Sequence, residues 1–405
     1  MNQHEIEAGM TGDTGGVPRH WRAHAAVFAA TAGGFCNLYS MQALYPALQD
    51  RFGMGAAFAA SLLTATTLGI AASAPFAGRL AARLGARDAV LRSLLALAYL
   101  TIAVGFMNDG RALFILRLVQ GVLIPVVLAA VLASTSRLWP DIEASALAAT
   151  FVTGTILGGL FGRFVPAILM PFGWTFAFAG FAGLQFTAAL VVLLLYPDGR
   201  PSDGAQAPMR AWVSSFLPIL RRDIPSQAIG AFGLMFTQAA ATTYIAIRLA
   251  SEPFAWGTAA LGALYVVFLP ALVFVRLTPL AIARFGPQKT LMLAVASSWV
   301  GLVATIPART PLILVGLTVF CAAVFVTQTV LAHLVNTAKT SRREAAAGLY
   351  LCTYYLGASC GALVPAGVWN AYGWGGCLVM IAFVQTLGLV VAHIAARGTT
   401  GDVVV

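Results

Sequence analysis

The chain is expected to be an all-α integral membrane protein, with twelve transmembrane helices in two pseudo-symmetric six-helix bundles. Three observations predict this. Hydrophobic residues make up 60% of the 405 residues and charged residues 9%, against roughly 25% charged in a soluble domain. The apolar residues gather in long continuous runs, the signature of spanning helices rather than of β-barrel strands. The chain also repeats itself: Pro171-Phe172-Gly173-Trp174 through Gln185 returns about two hundred residues later as Ala371-Tyr372-Gly373-Trp374 through Gln385, and duplication on this scale in an apolar chain points to a transporter.

The first bundle (25–196) is assigned runs at 25–45, 57–76, 89–106, 112–134, 144–170 and 174–196. The second (226–396) is assigned runs at 226–250, 258–275, 290–306, 311–336, 345–369 and 375–396. Each is long enough, at roughly 17–25 residues, to cross hydrocarbon as a helix. Loops are short except at 197–225, where Pro197-Asp198-Gly199-Arg200-Pro201-Ser202-Asp203-Gly204 marks a linker between the bundles. An amphipathic interfacial helix is expected at 209–222, with Trp212, Phe216, Leu217 and Leu220 set against Arg210, Arg221 and Arg222. Tails occupy 1–24 and 397–405. The repeat is visible at two further places: Gly158, Gly162 and Val165-Pro166-Ala167 are answered by Gly357, Gly361 and Val364-Pro365-Ala366, and Arg83-Leu84-Gly85 by Arg284-Phe285-Gly286.

Charge sets the expected orientation. With the N-terminus cytoplasmic, eighteen of the 24 Lys and Arg fall in cytoplasmic segments, four outside and two, Arg117 and Arg163, within spans. Both termini are therefore expected in the cytoplasm of a bacterial-type inner membrane. Residues 1–19 are polar and acidic, unlike a signal peptide, so the first span is expected to direct insertion. The net charge of +10 is spread over short inner loops, suited to anionic lipid headgroups rather than to nucleic acid. The five cysteines (Cys36, Cys321, Cys352, Cys360 and Cys377) all lie in expected spans, without CxxC or histidine spacing. No disulfide, metal or cofactor is expected, and the chain is expected to act as a monomer.

Two motifs carry a family resemblance. The second loop reads Gly78-Arg79-Leu80-Ala81-Ala82-Arg83-Leu84-Gly85-Ala86-Arg87-Asp88, and the fourth span contains Arg117-Leu118-Val119-Gln120-Gly121. These resemble the loop hallmark and the R-x-x-q-G motif of the major facilitator superfamily. Leu38-Tyr39, Gln42, Pro46 and the segment Leu349-Tyr350-Leu351-Cys352-Thr353-Tyr354-Tyr355-Leu356-Gly357 resemble its YnfM-type branch of sugar, arabinose and drug efflux permeases. The resemblance implies a conformational gate at Gly78, Arg83, Gly85 and Arg87, echoed at Arg284 and Gly286. The family's loop aspartate is replaced by Ala82, so that latch is expected to be weaker or differently made. The resemblance also implies a coupling role for Arg117; the plain alternative is a hydrogen-bond hub for carbonyls at helix breaks.

Candidate site residues follow from intramembrane polarity, because a guanidinium in hydrocarbon is costly unless it faces protein or water. Arg117, Gln120 and Gly121 share one helix face, as do Arg163, Gly159 and Thr155. Arg163 follows Gly162 where antiporters of the family commonly carry proline. With Arg248, these arginines are expected to line one outward vestibule. Asn37, Tyr39, Gln42, Gln238, Tyr244, Tyr265, Gln328, Tyr354 and Tyr355 are the polar-tipped side chains nearest mid-membrane, suited to binding an uncharged or amphipathic solute or to interhelical hydrogen bonds. Gly154, Gly158 and Gly162, with Gly357 and Gly361, form small-residue faces, read either as tight packing or as a seam on which the bundles rock.

All fourteen Asp and Glu fall in loops, tails or span ends, whereas a cation/proton antiporter normally needs a buried carboxylate. Asp50 and His333 remain as candidate proton sites. The first functional expectation is a secondary active exporter, proton-coupled, of a small organic solute. The alternatives are an anion exchanger or facilitator built on the intramembrane arginines and, remotely, a non-transporting sensor. No triad, Walker motif or metal cluster points to an enzyme. On sequence alone, Arg117→Ala and Arg163→Ala are each expected to abolish transport while leaving the protein inserted.

Overall fold

A computed structural model describes residues 20–198, 225–337 and 343–398. The linker, its expected interfacial helix and most of both tails lie outside them. Among the described residues the first half holds α1 (His20–Phe35), a short α2 (Tyr45–Phe52), α3 (Ala56–Leu84), α4 (Ala86–Phe106), α5 (Gly110–Leu138), α6 (Ala144–Leu169) and α7 (Trp174–Leu195). The second holds α8 (Pro225–Ala250), α9 (Thr258–Leu264), α10 (Ala271–Phe285), α11 (Pro287–Ala304), α12 (Thr310–Thr337), α13 (Arg343–Leu363) and α14 (Pro365–Gly398). Nine of the described helical segments are long and apolar enough to cross a membrane. Large apolar side chains such as Leu194, Val300, Phe383 and Val379 are exposed on the bundle's outer surface, as a lipid-facing surface requires.

The repeat survives as geometry. Gly85 and Gly286 end α3 and α10 at φ 83° and 80°, and Gly173 and Gly373 both take positive φ just before Trp174 and Trp374. Glycine is strongly favoured at such φ because it has no Cβ to clash. The two tryptophans then make matching anchors: Trp174 Nε1 donates to Val104 O at 2.9 Å and Trp374 Nε1 to Thr305 Oγ1 at 3.0 Å. The pairing of α1 with α6 is likewise answered by that of α8 with α13.

Three expected spans are interrupted. The first stops being α-helical at Phe35, and Cys36–Ala43 continue as successive i→i+3 turns. The eighth changes to a 3-10 turn at Tyr265–Phe268 and restarts beyond Pro270. The eleventh ends at Leu363 rather than at 369, because Pro365 lacks an N–H and opens α14, which kinks at Gly373.

The halves are joined at one end of the bundle. Gln42 Nε2 donates to Thr242 Oγ1 and Thr243 Oγ1 at 3.2 and 3.0 Å, Thr64 Oγ1 to Ser359 O at 3.1 Å, and Thr67 Oγ1 lies 2.8 Å from Ser359 Oγ. This closed end is opposite the basic end, which carries the α3–α4 and α10–α11 turns.

The glycine faces do not form a seam between the halves. A Cβ on Gly158 would lie 2.8 Å from Ala32 Cα, and one on Gly361 would lie 2.6 Å from Phe236 Cα. Gly154 and Gly162 likewise meet α1 and the turn after it, and Gly357 meets α8. These contacts are internal to each half, which supports the tight-packing reading. Gly158→Leu is expected to destabilise the protein by about 1–3 kcal/mol or more through overpacking. Gly78→Ala, at a position with open space around it, is expected to change little; thermal unfolding in detergent compares the two.

Candidate functional site

The break after α1 creates the first requirement of the interior. A helix interrupted in hydrocarbon leaves carbonyls that no water can satisfy. Arg117, 1% exposed on α5, answers it: its Nη2 donates to Asn37 O at 2.7 Å and to Leu38 O at 3.1 Å, and its Nη1 donates to Gln120 Oε1 at 2.7 Å. Gln120 Nε2 passes to Thr101 Oγ1 at 3.1 Å, and that hydroxyl lies 3.2 Å from Asn37 Oδ1. The four residues close a ring across α4, α5 and the turns after α1. Gly121, one residue on, lets α5 approach the backbone of α3 at Thr66.

Arg163 occupies a different place. Projecting from α6 and 3% exposed, it donates from Nε to Gln42 Oε1 at 2.8 Å and from Nη1 to Gly159 O at 2.9 Å. Its guanidinium carbon stands 3.8 Å from the ring centre of Tyr39, 4.4 Å from that of Tyr265 and 5.0 Å from that of Phe268. Such stacking contributes about 0.5–2 kcal/mol per contact. Nη2 is buried with no hydrogen-bond partner.

Arg163 also lines a cavity of about 480 Å³ between the halves, which extends along α3, α5, α6, α12 and α13 toward the basic end. Of the residues expected there, Tyr39, Gln238, Gln328, Tyr354 and Tyr355 line it. Thr155 and Gly159, on the Arg163 face, line it as well. Among the described residues Arg163 is the one charged side chain lining it, and no described Asp, Glu, His or Lys contributes to its wall. Phe35, Phe268, Phe325 and Met235 also line it. They carry no polar tip, so only their position on the inward face of a helix could have marked them.

The expected three-arginine vestibule is not formed. Arg117 is spent on the helix break, and Arg248 caps the end of α11 by donating to Thr305 O and, at 2.9 Å, to Ile306 O. Asn37 belongs to the Arg117 ring. Gln42 holds the closed end, Tyr244 Oη donates to Ala362 O at 2.8 Å, and Tyr265 Oη donates to Thr242 O at 3.2 Å. Asp50 is exposed on α2, and His333 is exposed near the end of α12; neither lies on the cavity wall. Among the gate residues, Arg87 pairs with Asp198 and donates to Leu193 O, tying α4 to the end of α7. Arg83 and Arg284 are exposed at the basic end.

Two bundles meeting around a central cavity at a repeat interface are the architecture of a secondary transporter. The pattern of the Major Facilitator Superfamily matches residues 27–362. The chain belongs to the Major Facilitator Superfamily. Its relatives include the inner membrane transport protein YnfM of Escherichia coli, 24% identical over 93% of this chain and 91% of that one. Another is the MFS-type transporter YybF of Bacillus subtilis, 24% identical over 94% and 95%. Among solved structures, the nucleoside transporter NupG superposes with a TM-score of 0.73 at 15% identity, covering 92% of this chain and 99% of that one. The human organic anion transporter MFSD10 superposes at 0.66 with 16% identity, covering 93% and 100%. The present chain is thus a multi-pass membrane transporter of this superfamily.

The geometry separates the two intramembrane arginines of this superfamily member. Arg117→Leu leaves Leu38 O and Gln120 Oε1 without their donor, each worth about 1–3 kcal/mol when buried and unpaired, while Asn37 O keeps its bonds from Ser40. It is expected to lower thermal stability more than Arg163→Gln does. Equal melting behaviour of the two variants in detergent would count against Arg117 as a support for the broken helix.

Proposed function

We propose that the protein carries a small amphipathic organic anion across a bacterial inner membrane by alternating access, with the cavity between the halves as its binding site. The observation that carries this reading is Arg163: a buried guanidinium, the sole charge on the cavity wall among the described residues, with one nitrogen still lacking a partner. A cationic solute would meet like charge and no carboxylate. An anion gains a charge-assisted hydrogen bond in a low-dielectric site, where such bonds are strongest. The aromatic and amide wall suits an apolar body with few polar groups.

The lysines and arginines concentrated at the basic end favour placing that end in the cytoplasm. The cavity then faces the cytoplasm and the closed end faces outward. Because no described Asp, Glu or His lines the cavity, this wall supports anion exchange or facilitation in preference to proton-coupled efflux through a chain carboxylate.

Uptake into proteoliposomes tests the reading with radiolabelled organic anions, organic cations and neutral sugars as separate arms. Anion uptake is expected to exceed the other two, to persist without a pH gradient, and to fall about 10- to 100-fold in Arg163→Gln, as loss of a charged hydrogen bond predicts. Preferential uptake of the cations, or full activity in Arg163→Gln, would sink it. A strict requirement for a pH gradient would return the case to proton coupling.

A further inference from the structure

The cavity wall carries unpartnered polar atoms of two kinds, set on opposite halves. On the first-half side Arg163 Nη2 is an unpartnered charged donor. On the second-half side Gln238 Oε1 on α8 and Gln328 Oε1 on α12 are enclosed and also lack partners. Gln238 is only 5% exposed. Buried polar atoms are nearly always hydrogen-bonded, and those left without partners in a cavity call for a ligand or water to complete them. Aromatic side chains share the wall with them, Tyr39 against the guanidinium and Phe35, Phe268, Phe325 and Tyr354 elsewhere along it.

Resting on the anion reading above, we propose that the solute is a flat aromatic monocarboxylate bearing a hydroxyl at the end remote from its carboxylate. The carboxylate accepts from Arg163 on the first half. The ring lies among the aromatic side chains, and the hydroxyl reaches the Gln238 and Gln328 amides on the second half. A hydroxyl both donates and accepts, so it satisfies a glutamine amide in either orientation. The one cation among the described lining residues sets the charge: a second carboxylate would be buried without a counter-charge there, a heavy desolvation penalty. The cavity volume of about 480 Å³ lies within the roughly 300–1,000 Å³ usual for small-molecule sites. A solute bound in this way touches both halves at once, so it is recognised in full only when they stand in the correct relation.

Isothermal titration calorimetry on the purified full chain, with four probes of one shape, tests the assignment. The probes are 4-hydroxycinnamate, cinnamate, 4-hydroxycinnamide and 4-carboxycinnamate. We expect 4-hydroxycinnamate to bind most tightly and cinnamate about five- to tenfold more weakly, the size of one neutral hydrogen bond. The amide and the dicarboxylate should be weaker by about 50-fold or more, since each loses or adds a whole charge. In Gln238→Leu/Gln328→Leu, cinnamate should keep its affinity while the advantage of the hydroxyl disappears.

Equal binding of cinnamate and 4-hydroxycinnamate by the unaltered chain would overturn the hydroxyl assignment and leave the anion reading standing. If the neutral amide binds as well as the acid, or if none of the four binds, both fall. Because the probe series needs no variant, a folding defect in the double substitution does not rescue the proposal.

Discussion

A backbone broken inside hydrocarbon must find its hydrogen bonds from side chains, and Arg117 supplies them. α1 ends at Phe35, and in the turns that follow the Arg117 guanidinium takes up Leu38 O and shares Asn37 O with Ser40. The break sets the direction of everything after it. Tyr39 comes to lie 3.8 Å from the Arg163 guanidinium, and Gln42 arrives where it can accept from Arg163 Nε and donate to the second half. A regular helix continuing to residue 45 would turn these side chains through a different sequence of faces. Arg163, on the regular helix α6, thus meets its partners Tyr39 and Gln42 on a distorted segment that Arg117 helps to support.

Close packing within each half supports the same geometry. Gly158 and Gly162 bring α6 onto α1 and its following turn, and Gly357 and Gly361 bring α13 onto α8. Without a hydrophobic driving force between helices in lipid, small residues that allow backbone approach hold such pairs together. Each half can therefore behave as a packed unit, while the interface between them keeps the cavity. The duplicated elements build the units, and the unduplicated ones fill the space between. At Arg163 the second half carries Ala362, whose backbone carbonyl accepts the Tyr244 hydroxyl. The cation is therefore single by construction.

The helical architecture and its internal repeat were legible because hydropathy and glycine placement are local properties of the sequence. Gly85 with Gly286 and Gly173 with Gly373 could be paired from spacing alone, and each pair shares positive φ in the structure. The polar set was legible only in part. Tyr39, Gln238, Gln328, Tyr354 and Tyr355 reached the cavity wall, but Arg117 and Arg248 did not, since membrane depth places a residue along the bundle and says little about the partner it faces. Helix breaks decided the difference: which carbonyls need a donor depends on where an α-helix stops, and residues 36–43 carry neither proline nor a run of polar residues to announce it. Phe35, Phe268 and Phe325 were invisible for the opposite reason, because a cavity-facing phenylalanine resembles a core or lipid-facing one in sequence.

The placement of Arg163 connects occupancy of the cavity to the closed end. Its partner Gln42 is also the residue that reaches Thr242 and Thr243, and the Tyr265 ring beside it belongs to a side chain whose hydroxyl holds Thr242 O. The Gln42 hydrogen bond to a charged group contributes about 1.5–3 kcal/mol, and each aromatic contact about 0.5–2 kcal/mol. Moving a two-state equilibrium from 1:99 to 99:1 takes about 5.5 kcal/mol of differential affinity. The contacts that Arg163 can exchange for an anion thus sum to the same order as the shift required. Under the anion reading, a bound carboxylate competes with Gln42 and offsets the charge facing Tyr265, weakening contacts that bear on the closed end. In the empty state those contacts satisfy most of the guanidinium, which lets a buried charge stand on the wall of a cavity without a carboxylate beside it.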